Sequence, residues 1–166
     1  SLTNILPMPT NRRNVGLEEE AFLALTRAYH LSRKLAETVI EPLGITLAEY
    51  NLLRIIQNDA RITATQVRER LFSTAPSVTN LVKNLERKNL ISRVRNKDDA
   101  RIQHMQLTSQ GKKLVKIAQE QIKRFTASLS LKPALLRSVV QDMENVTQTL
   151  STSLLSYGTA DLQLAP

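Results

Sequence analysis

Residues 62–107, ITATQVRERLFSTAPSVTNLVKNLERKNLISRVRNKDDARIQHMQL, hold the pattern that decides the fold. Thr63 stands three residues before Gln66, which is the spacing of a capping box at the start of a helix. This short helix reaches about residue 72, and residues 73–76, Ser-Thr-Ala-Pro, then form a turn and a second helix start. Two helices joined by a tight turn predict a helix-turn-helix.

The second helix of this pair has one apolar and one polar face. Its apolar residues recur at helical spacing and are predicted to point inward: Val78, Leu81, Val82 and Leu85. The opposite face then exposes Ser77, Thr79, Asn80, Lys83, Asn84 and Arg87. Small polar side chains at the start of such a helix reach base edges in a major groove, and an asparagine pairs with adenine N6 and N7. The lysine and arginine farther along are expected to contact phosphates, although each residue taken alone also fits a solvated face.

After residue 89 the pattern changes from a helical period to an alternating one. Met105 and Leu107 point to one side while His104 and Gln106 point to the other, opposite residues 91–96. Two short antiparallel strands are therefore expected.

The connection between these strands, residues 97–101, is polar and long enough to form a projecting hairpin tip, or wing. Arg101 at the base of this tip is expected to enter an adjacent minor groove, with Asp99 orienting it through a salt bridge. Arg95 and Lys97 complete the predicted DNA-binding residues of the hairpin. The alternative for this segment is an ordinary charged turn.

The basic residues are concentrated in the same part of the chain. Of 23 lysines and arginines in 166 residues, ten lie between Arg61 and Arg101, accompanied by four acidic residues. This segment carries +6 of the chain's net charge of +8. Such a balance favours a polyanionic partner, double-stranded DNA first and an anionic membrane second.

Amphipathic helices are predicted on both sides of this unit. One covers residues 17–41 and ends at the Pro-Leu-Gly of residues 42–44, after which Thr46 and Glu49 form a second capping box for a helix reaching about residue 58. Thr108 caps a further helix. Its predicted inward residues are Leu114, Ile117, Ile122, Phe125 and Leu129. A last helix follows Pro133 and reaches about Tyr157, with an apolar stripe of Val139, Met143, Val146, Leu150 and Leu154.

These stripes exceed what one small chain buries by itself, which favours a homodimer. The predicted organisation is a flexible arm at residues 1–16, a helical dimerisation region at residues 17–45 and 109–157, a winged helix-turn-helix DNA-binding domain at residues 46–108, and a tail at residues 158–166. The fold class is mainly α with a small antiparallel β-hairpin wing.

Composition disfavours other kinds of site. The chain has no cysteine, which excludes disulfides, thiolate nucleophiles and cysteine zinc sites. His30 and His104 lie far apart in sequence and predict no metal site, and the phosphate-binding glycine loops and the Gly-x-Ser-x-Gly motif are missing. We expect no catalytic residue and no cofactor. Without a long apolar run or a signal-peptide pattern, we expect a cytoplasmic protein with no membrane partner.

A candidate effector pocket lies where the first helix meets the second, near Tyr29, His30, Arg33 and Tyr50. A guanidinium and a stacking ring suit a small aromatic carboxylate. Ordinary packing between the two helices explains the same residues and is the commoner situation for aromatic side chains at helical spacing.

From about Leu17 to Leu155 the chain resembles the MarR (multiple antibiotic resistance regulator) family of winged helix-turn-helix transcriptional regulators. Residues 99–101, Asp-Ala-Arg, are similar to the Asp-x-Arg signature of that family's wing. Residues 105–111, Met-Gln-Leu-Thr-Ser-Gln-Gly, are similar to the entry to its fifth helix, and residues 77–86 match its recognition helix. Asn80 stands where arginine is frequent in the family, and Gln103 where an apolar residue is usual.

The resemblance implies a triangular homodimer in which the first, fifth and sixth helices interlock and each wing straddles a minor groove. It also implies a sequence-specific repressor that binds a palindromic operator and is released by a small ligand or oxidant. The half-sites are expected about one helical turn, roughly 10 base pairs, apart. A non-specific architectural DNA-binding protein and a winged-helix protein-interaction module are the alternatives.

Overall fold

The structure, a computed structural model, describes residues 16–96 and 103–156, with side chains up to residue 153. In chain order it contains α1 (Leu17–Ile40) with a short 3₁₀ helix (Glu41–Leu43), α2 (Leu47–Asn58), α3 (Ala64–Arg70), α4 (Ala75–Arg87), β1 (Ile91–Arg95), β2 (Gln103–Leu107), α5 (Ser109–Ser128) and α6 (Pro133–Ser156). These helices and the antiparallel hairpin confirm the predicted fold class. The predicted C-terminal tail, nearly all of the N-terminal arm, and the wing residues Lys97, Asp99 and Arg101 lie outside the described residues.

Side-chain caps start the helices where the sequence predicts them. Thr46 Oγ1 accepts a hydrogen bond from Glu49 N at 3.1 Å, while Glu49 Oε2 accepts one from Thr46 N at 2.8 Å, which completes a capping box at α2. Thr63 and Gln66 form the same arrangement at α3. Thr74 caps α4 by accepting from the backbone N–H three residues on, at 3.4 Å. These caps satisfy donors that the first turn of a helix leaves without a partner, so local sequence sets the turns around α3.

The hairpin is bonded to the helix-turn-helix through its backbone. β1 and β2 pair antiparallel, with Arg95 opposite Gln103. On the other edge of β2, Met105 N donates to Ile62 O at 3.1 Å, just before α3 begins. Met105 is buried and Gln106 is exposed, as the alternating pattern predicts. Backbone hydrogen bonds on both edges of β2 therefore fix the two strands against the start of α3.

The core of the first of two units, residues 16–125, lies between α2, α3, α4, the hairpin and the first half of α5. Its fully buried side chains include Leu52, Leu53, Ile56, Ile62, Val67, Val78, Leu85 and Val115. Burial of each side chain of this size contributes roughly 1.5–3 kcal/mol. The predicted inward face of α4 is confirmed, with three of its four apolar residues buried and Leu81 partly buried.

The start of α5 is built into the corner between α4 and β1. Thr108 Oγ1 donates to Asn89 O at 2.7 Å, and Thr108 N donates to Leu90 O at 3.1 Å. The same hydroxyl accepts from Gly111 N at 3.0 Å, which confirms Thr108 as the cap. A Cβ atom on Gly111 would overlap with the Leu90 carbonyl oxygen, so this close approach requires glycine.

The close approach of Gly111 to Leu90 turns one face of α5 toward the core. Gly111, Val115 and Ala118 are buried, whereas Ile117 is 49% exposed and Leu129, past the helix end, is 43% exposed. The prediction that these last two point inward is therefore wrong for the single chain. The side of α5 that carries Gly111 packs against the core, and Ile117 lies on a different side of the helix.

Large apolar side chains on α1 and α6 stay exposed in the single chain. On α1 they are Leu17, Phe22, Tyr29, Leu31 and Leu35. On α6, in the second unit (residues 126–156), they are Leu135, Leu136, Val139, Val140, Met143 and Leu150. Among the described helices, none has an apolar stretch of the length that crosses a bilayer. Contiguous exposed apolar surface is typical of regions that contact another molecule.

Candidate nucleic-acid interface

The free face of α4 carries the residues predicted to contact bases and phosphates. Ser77, Thr79, Asn80, Lys83 and Arg87 are all exposed, opposite the buried valines and leucine of the same helix. The apolar positions therefore attach α4 to the body, and the polar positions are left for a ligand. Their exposure is confirmed, while their contacts to DNA stay a prediction.

Hydrogen bonds within α4 give these side chains different chemistry. Thr79 Oγ1 donates to Ala75 O at 2.9 Å, so the hydroxyl proton is used inside the helix. Thr79 can then offer a base an acceptor oxygen and a methyl group. The Asn80 carboxamide has no hydrogen-bond partner among the described residues, which leaves both its donor and its acceptor for an adenine edge. Arg87 Nη2 donates to Asn84 Oδ1 at 3.1 Å, an exposed contact that a phosphate can replace.

Intramolecular ion pairs use part of the positive charge. Arg70, Lys88 and Arg93 lie 2.9, 2.7 and 2.8 Å from a carboxylate oxygen. The other basic residues between positions 61 and 96 are exposed and have no carboxylate partner within the described part of the chain: Arg61, Arg68, Lys83, Arg87 and Arg95. A cation whose charge is already offset gains less from a phosphate than a solvated one does. Within residues 61–96, these five are therefore the cations best suited to the DNA backbone.

Arg93 connects the hairpin to α4. Its Nε and Nη2 donate to the two carboxylate oxygens of Glu86 at 2.8 and 3.1 Å, and its Nη1 donates to Gln103 Oε1 at 3.4 Å. Such a bidentate pair fixes the plane of a guanidinium. Gln103, which departs from the family pattern, thus supplies a third bond across the two strands. Arg93 positions the hairpin, a role that charge patterning alone did not reveal.

A groove of about 420 Å³ opens between α4, the start of α3 and the hairpin. Its polar lining consists of Thr63, Thr65, Thr79, Arg93 and Gln103. Only Thr79 was predicted as a functional residue. The capping box and the strand alternation predict that the other four residues lie at the start of α3 and on the hairpin. No local pattern shows that these elements come together beside α4.

The base of the wing is described, and its tip is not. Arg95 is exposed at the end of β1, and Asn96 Nδ2 lies 3.3 Å from His104 Nε2 across the hairpin. Contacts of the predicted tip residues Lys97 and Arg101 with DNA stay predictions.

The predicted effector residues are divided between surface and core. Tyr29, His30 and Arg33 are exposed on α1, and the first two rings are in edge contact with centroids 5.5 Å apart. Arg33 Nε donates to Glu37 Oε1 at 2.8 Å, and this hydrogen bond together with the carboxylate's charge raises the pKa of Arg33. Tyr50 on α2 is buried, and its hydroxyl accepts from an arginine one turn later. In the single chain, Tyr29, His30 and Arg33 lie on an open surface and do not enclose a ligand by themselves.

Known proteins are similar to this chain in sequence and in fold. The model of the MarR family matches residues 43–102. YhbI of Bacillus subtilis, an uncharacterised HTH-type transcriptional regulator, is 30% identical over 122 residues, which are 74% of this chain and 79% of YhbI. Staphylococcus aureus MarR, solved in complex with salicylate and kanamycin, superposes with a TM-score of 0.73 at 20% identity over 82% of this chain and 93% of that chain. A point mutant of S. aureus MepR bound to an oligodeoxyribonucleotide has a TM-score of 0.55 at 28% identity over 80% and 96% of the two chains.

The family match covers α2, α3, α4 and β1, since residues 43–102 run from the turn before α2 to the residue before β2. The likeness to YhbI extends over most of both chains. The structure shows a helix-turn-helix whose second helix has an exposed polar and basic face and is braced against a hairpin. The sequence comparisons independently match a known group of regulators. The chain belongs to the MarR family of winged helix-turn-helix, DNA-binding transcriptional regulators, and it is not an enzyme.

Proposed function

We propose that the chain is a repressor that binds a palindromic DNA operator as a homodimer. The observation that carries the proposal is the free face of α4, where Asn80 keeps its bonding groups available and Lys83 and Arg87 have no carboxylate partner among the described residues. A base-reading side chain followed along one face by phosphate-binding cations is the arrangement of a recognition helix. The oligodeoxyribonucleotide bound to the MepR mutant, at 28% identity, supports DNA as the partner.

The exposed apolar faces of α1 and α6 support the homodimer. A second copy offers the same faces, so a two-fold interface covers both sets at once. In this proposal residues 17–45 and 109–157 form the dimerisation region and residues 46–108 the DNA-binding domain. A palindrome repeats its bases about a two-fold axis, so two identical recognition helices match it. A dimer bound over promoter DNA excludes RNA polymerase, which accounts for repression.

The wing is proposed to contact the minor groove beside each half-site. Arg101 would enter the groove with Asp99 orienting its guanidinium, and Lys97 and Arg95 would contact phosphates. The brace between Arg93 and Glu86 supports this proposal, because it fixes the base of the hairpin against α4.

A small aromatic or anionic effector is proposed to release the operator. Tyr29, His30 and Arg33 provide two rings and a cation on the surface of α1, with Tyr50 on the neighbouring helix. A carboxylate ligand would compete with Glu37 for the Arg33 guanidinium. A second copy of the chain would supply the missing wall.

Selection of binding sites from random DNA with the full-length protein, followed by footprinting, tests the proposal. We expect an inverted repeat with half-sites roughly 10 base pairs apart and an affinity at least about 10³-fold above that for random DNA. A ratio near one at moderate salt would instead indicate an architectural DNA binder.

In vitro transcription from the selected site should decrease when the protein is added, and an increase would contradict repression. If alanine at both Thr79 and Asn80 left regulation intact, a protein-interaction module would be favoured.

A further inference from the structure

The groove beside α4 lies between the two parts of the chain that the proposed function places in grooves of DNA. α4 forms one side of it, and residues of β1, β2 and the start of α3 form the rest. In duplex DNA a sugar-phosphate backbone separates each major groove from the neighbouring minor groove. If α4 enters a major groove and the wing enters the minor groove beside it, that backbone has to pass over the gap between α4 and the hairpin.

The lining of this groove has the chemistry of a phosphate site. Among the described residues that form it there is one cation, Arg93, and no carboxylate. A guanidinium carries five N–H groups, and three of those of Arg93 donate to Glu86 and Gln103. Two N–H groups therefore remain for a ligand. Because Glu86 already offsets the charge, a contact here adds hydrogen bonds rather than counterion release.

Two neutral side chains supply further donors. Gln103 Oε1 accepts from Arg93 Nη1 at 3.4 Å, so the carboxamide nitrogen of Gln103 keeps both its N–H groups. The Thr65 hydroxyl forms no hydrogen bond with the described residues. The hydroxyl protons of the other two threonines in the lining are used in the capping box of α3 and within α4. Gln103 and Thr65 are therefore the neutral side chains of the groove that can donate to a phosphate.

The polar side chain at residue 103 is not required by packing. Gln103 is exposed at the first position of β2, opposite Arg95 across the hairpin. An apolar residue is usual at this position in the family, so the strand forms without a carboxamide there. A polar ligand in the groove accounts for the glutamine in this chain.

We propose that the groove beside α4 holds the DNA backbone that separates the major groove read by α4 from the minor groove contacted by the wing. Gln103 and Thr65 donate to one phosphate of that backbone, and Arg93 holds the Gln103 carboxamide in place. The assignment rests on the proposed function. Phosphate contacts carry no base information but fix the position of a protein on the duplex. This contact thus holds the recognition helix and the wing on neighbouring grooves.

Fluorescence anisotropy with the selected operator and with random duplex DNA, at several salt concentrations, tests the groove. Gln103→Leu and Thr65→Val should each weaken binding to both DNAs by about three- to tenfold, because a phosphate contact does not depend on sequence. The slope of log K against log salt should change by less than about 0.3, since neither side chain is charged. Unchanged affinity in both variants would overturn the proposal, and a loss confined to the operator would show base reading instead.

Gln106→Leu is the matched control. Gln106 is exposed on the same strand, but it lies three residues from Gln103, on the opposite face of the hairpin, and does not line the groove. The variant should bind both DNAs within about twofold of the parent. A loss equal to that of Gln103→Leu would show an effect on the strand rather than on a phosphate contact, and would overturn the proposal.

A glutamate at residue 103 separates contact with DNA from support of Arg93. Gln103→Glu keeps an acceptor for the guanidinium and strengthens that bond, but it places a carboxylate in the groove. We expect it to bind DNA at least about threefold more weakly than Gln103→Leu, because the carboxylate repels the phosphate. Gln106→Glu measures repulsion at longer range and should lose less. Parental affinity in Gln103→Glu, or equal losses in the two glutamate variants, would reject the phosphate contact.

Neutral methylphosphonates, placed one at a time in the operator, locate the phosphate. One position between the major-groove and minor-groove contacts should weaken binding of the parent protein. At that position Gln103→Leu should lose little more, whereas at other positions the two losses should add, because only partners in direct contact are coupled. Additive losses at every position would overturn the assignment.

The same measurements separate this proposal from the proposed function. If an operator is selected but the Gln103 and Thr65 variants bind it like the parent, the groove is rejected and the proposed repressor remains. If these variants weaken binding to random DNA and no operator is selected, the phosphate contact is supported and the proposed function is rejected.

Discussion

Lys88 Nζ lies 2.7 Å from Glu49 Oε2 and 3.0 Å from Glu49 Oε1, and it also donates to Gly44 O at 2.9 Å. Glu49 is 2% exposed, and the same carboxylate accepts from Thr46 N in the capping box of α2. One buried carboxylate thus joins the start of α2 to the residue directly after α4. The position of the recognition helix therefore depends on a desolvated ion pair as well as on apolar packing.

Lys88→Ala is expected to lower the free energy of unfolding by about 3 kcal/mol, because it leaves Glu49 buried without its counter-charge. The value lies at the low end for buried pairs, since one third of the Lys88 side chain is exposed and water can replace part of its contact. Urea unfolding measures the change. Lys83→Ala on the exposed face of α4 is the control and should shift stability by no more than about 0.5 kcal/mol. Equal effects of the two variants would contradict a structural role for the pair.

Gly111→Ala should destabilise the protein by about 2–3 kcal/mol, since the added methyl group overlaps with the Leu90 carbonyl oxygen and the backbone has to move. Gln110→Ala, an exposed change in the same turn of α5, should stay within about 0.5 kcal/mol. Thermal unfolding followed by circular dichroism compares the two. A Gly111→Ala protein as stable as the parent would mean that α5 does not approach β1 as closely as described.

Asn80→Ala should weaken binding to the selected operator by about 1–3 kcal/mol, while binding to random DNA hardly changes. Thr79 gives a finer comparison, because its hydroxyl proton is bonded to Ala75 O. Thr79→Val keeps the methyl group and should bind within about threefold of the parent, whereas Thr79→Ser loses the methyl contact to a thymine and should bind less tightly. Fluorescence anisotropy at one salt concentration measures all three. A greater loss in Thr79→Val than in Thr79→Ser would show that the hydroxyl, not the methyl group, contacts the base.

The salt dependence of DNA binding should distinguish free cations from paired ones. Lys83→Ala and Arg95→Ala should each reduce the slope of log K against log salt by about 1, because each removes one phosphate contact. Arg70→Ala removes a cation already paired with Asp59 at 2.9 Å and should leave the slope nearly unchanged. If all three variants changed the slope equally, pairing within the chain would not determine which cations meet the backbone.

Leu150→Gln should shift the protein from dimer to monomer, because it places a carboxamide in the apolar stripe of α6 that a second copy is proposed to cover. Operator affinity should then fall sharply, since the two half-sites are no longer bound by linked subunits. Sedimentation equilibrium measures the mass, and Ser138→Gln, at an exposed polar position of the same helix, is the control. An intact Leu150→Gln dimer would show that this stripe is not the interface.

The sequence alone was enough to predict the helices, the hairpin and the exposed face of α4. Thr46, Thr63 and Thr108 each cap a helix through a group three residues away, and the buried residues of α4 are spaced by four and three residues, as in a helix. These signals are local, so reading them does not require knowledge of what packs against each element.

Residues 62–107 by themselves determined a helix-turn-helix with a hairpin and a strong positive charge, but only the tertiary structure decided which charges remain available. Arg70, Lys88 and Arg93 pair with acids that lie 11, 39 and 7 residues away, on other elements. On α5, Leu114 and Ile122 pack against the core as the apolar pattern predicts, but Ile117 and Leu129 are exposed, and the close approach of Gly111 to Leu90 had no signal in that pattern. The physical reason is the same in each case. The periodicity of apolar residues shows that a helix or strand has an inward face, whereas ion pairs and close backbone contacts depend on which other element folding places against that face.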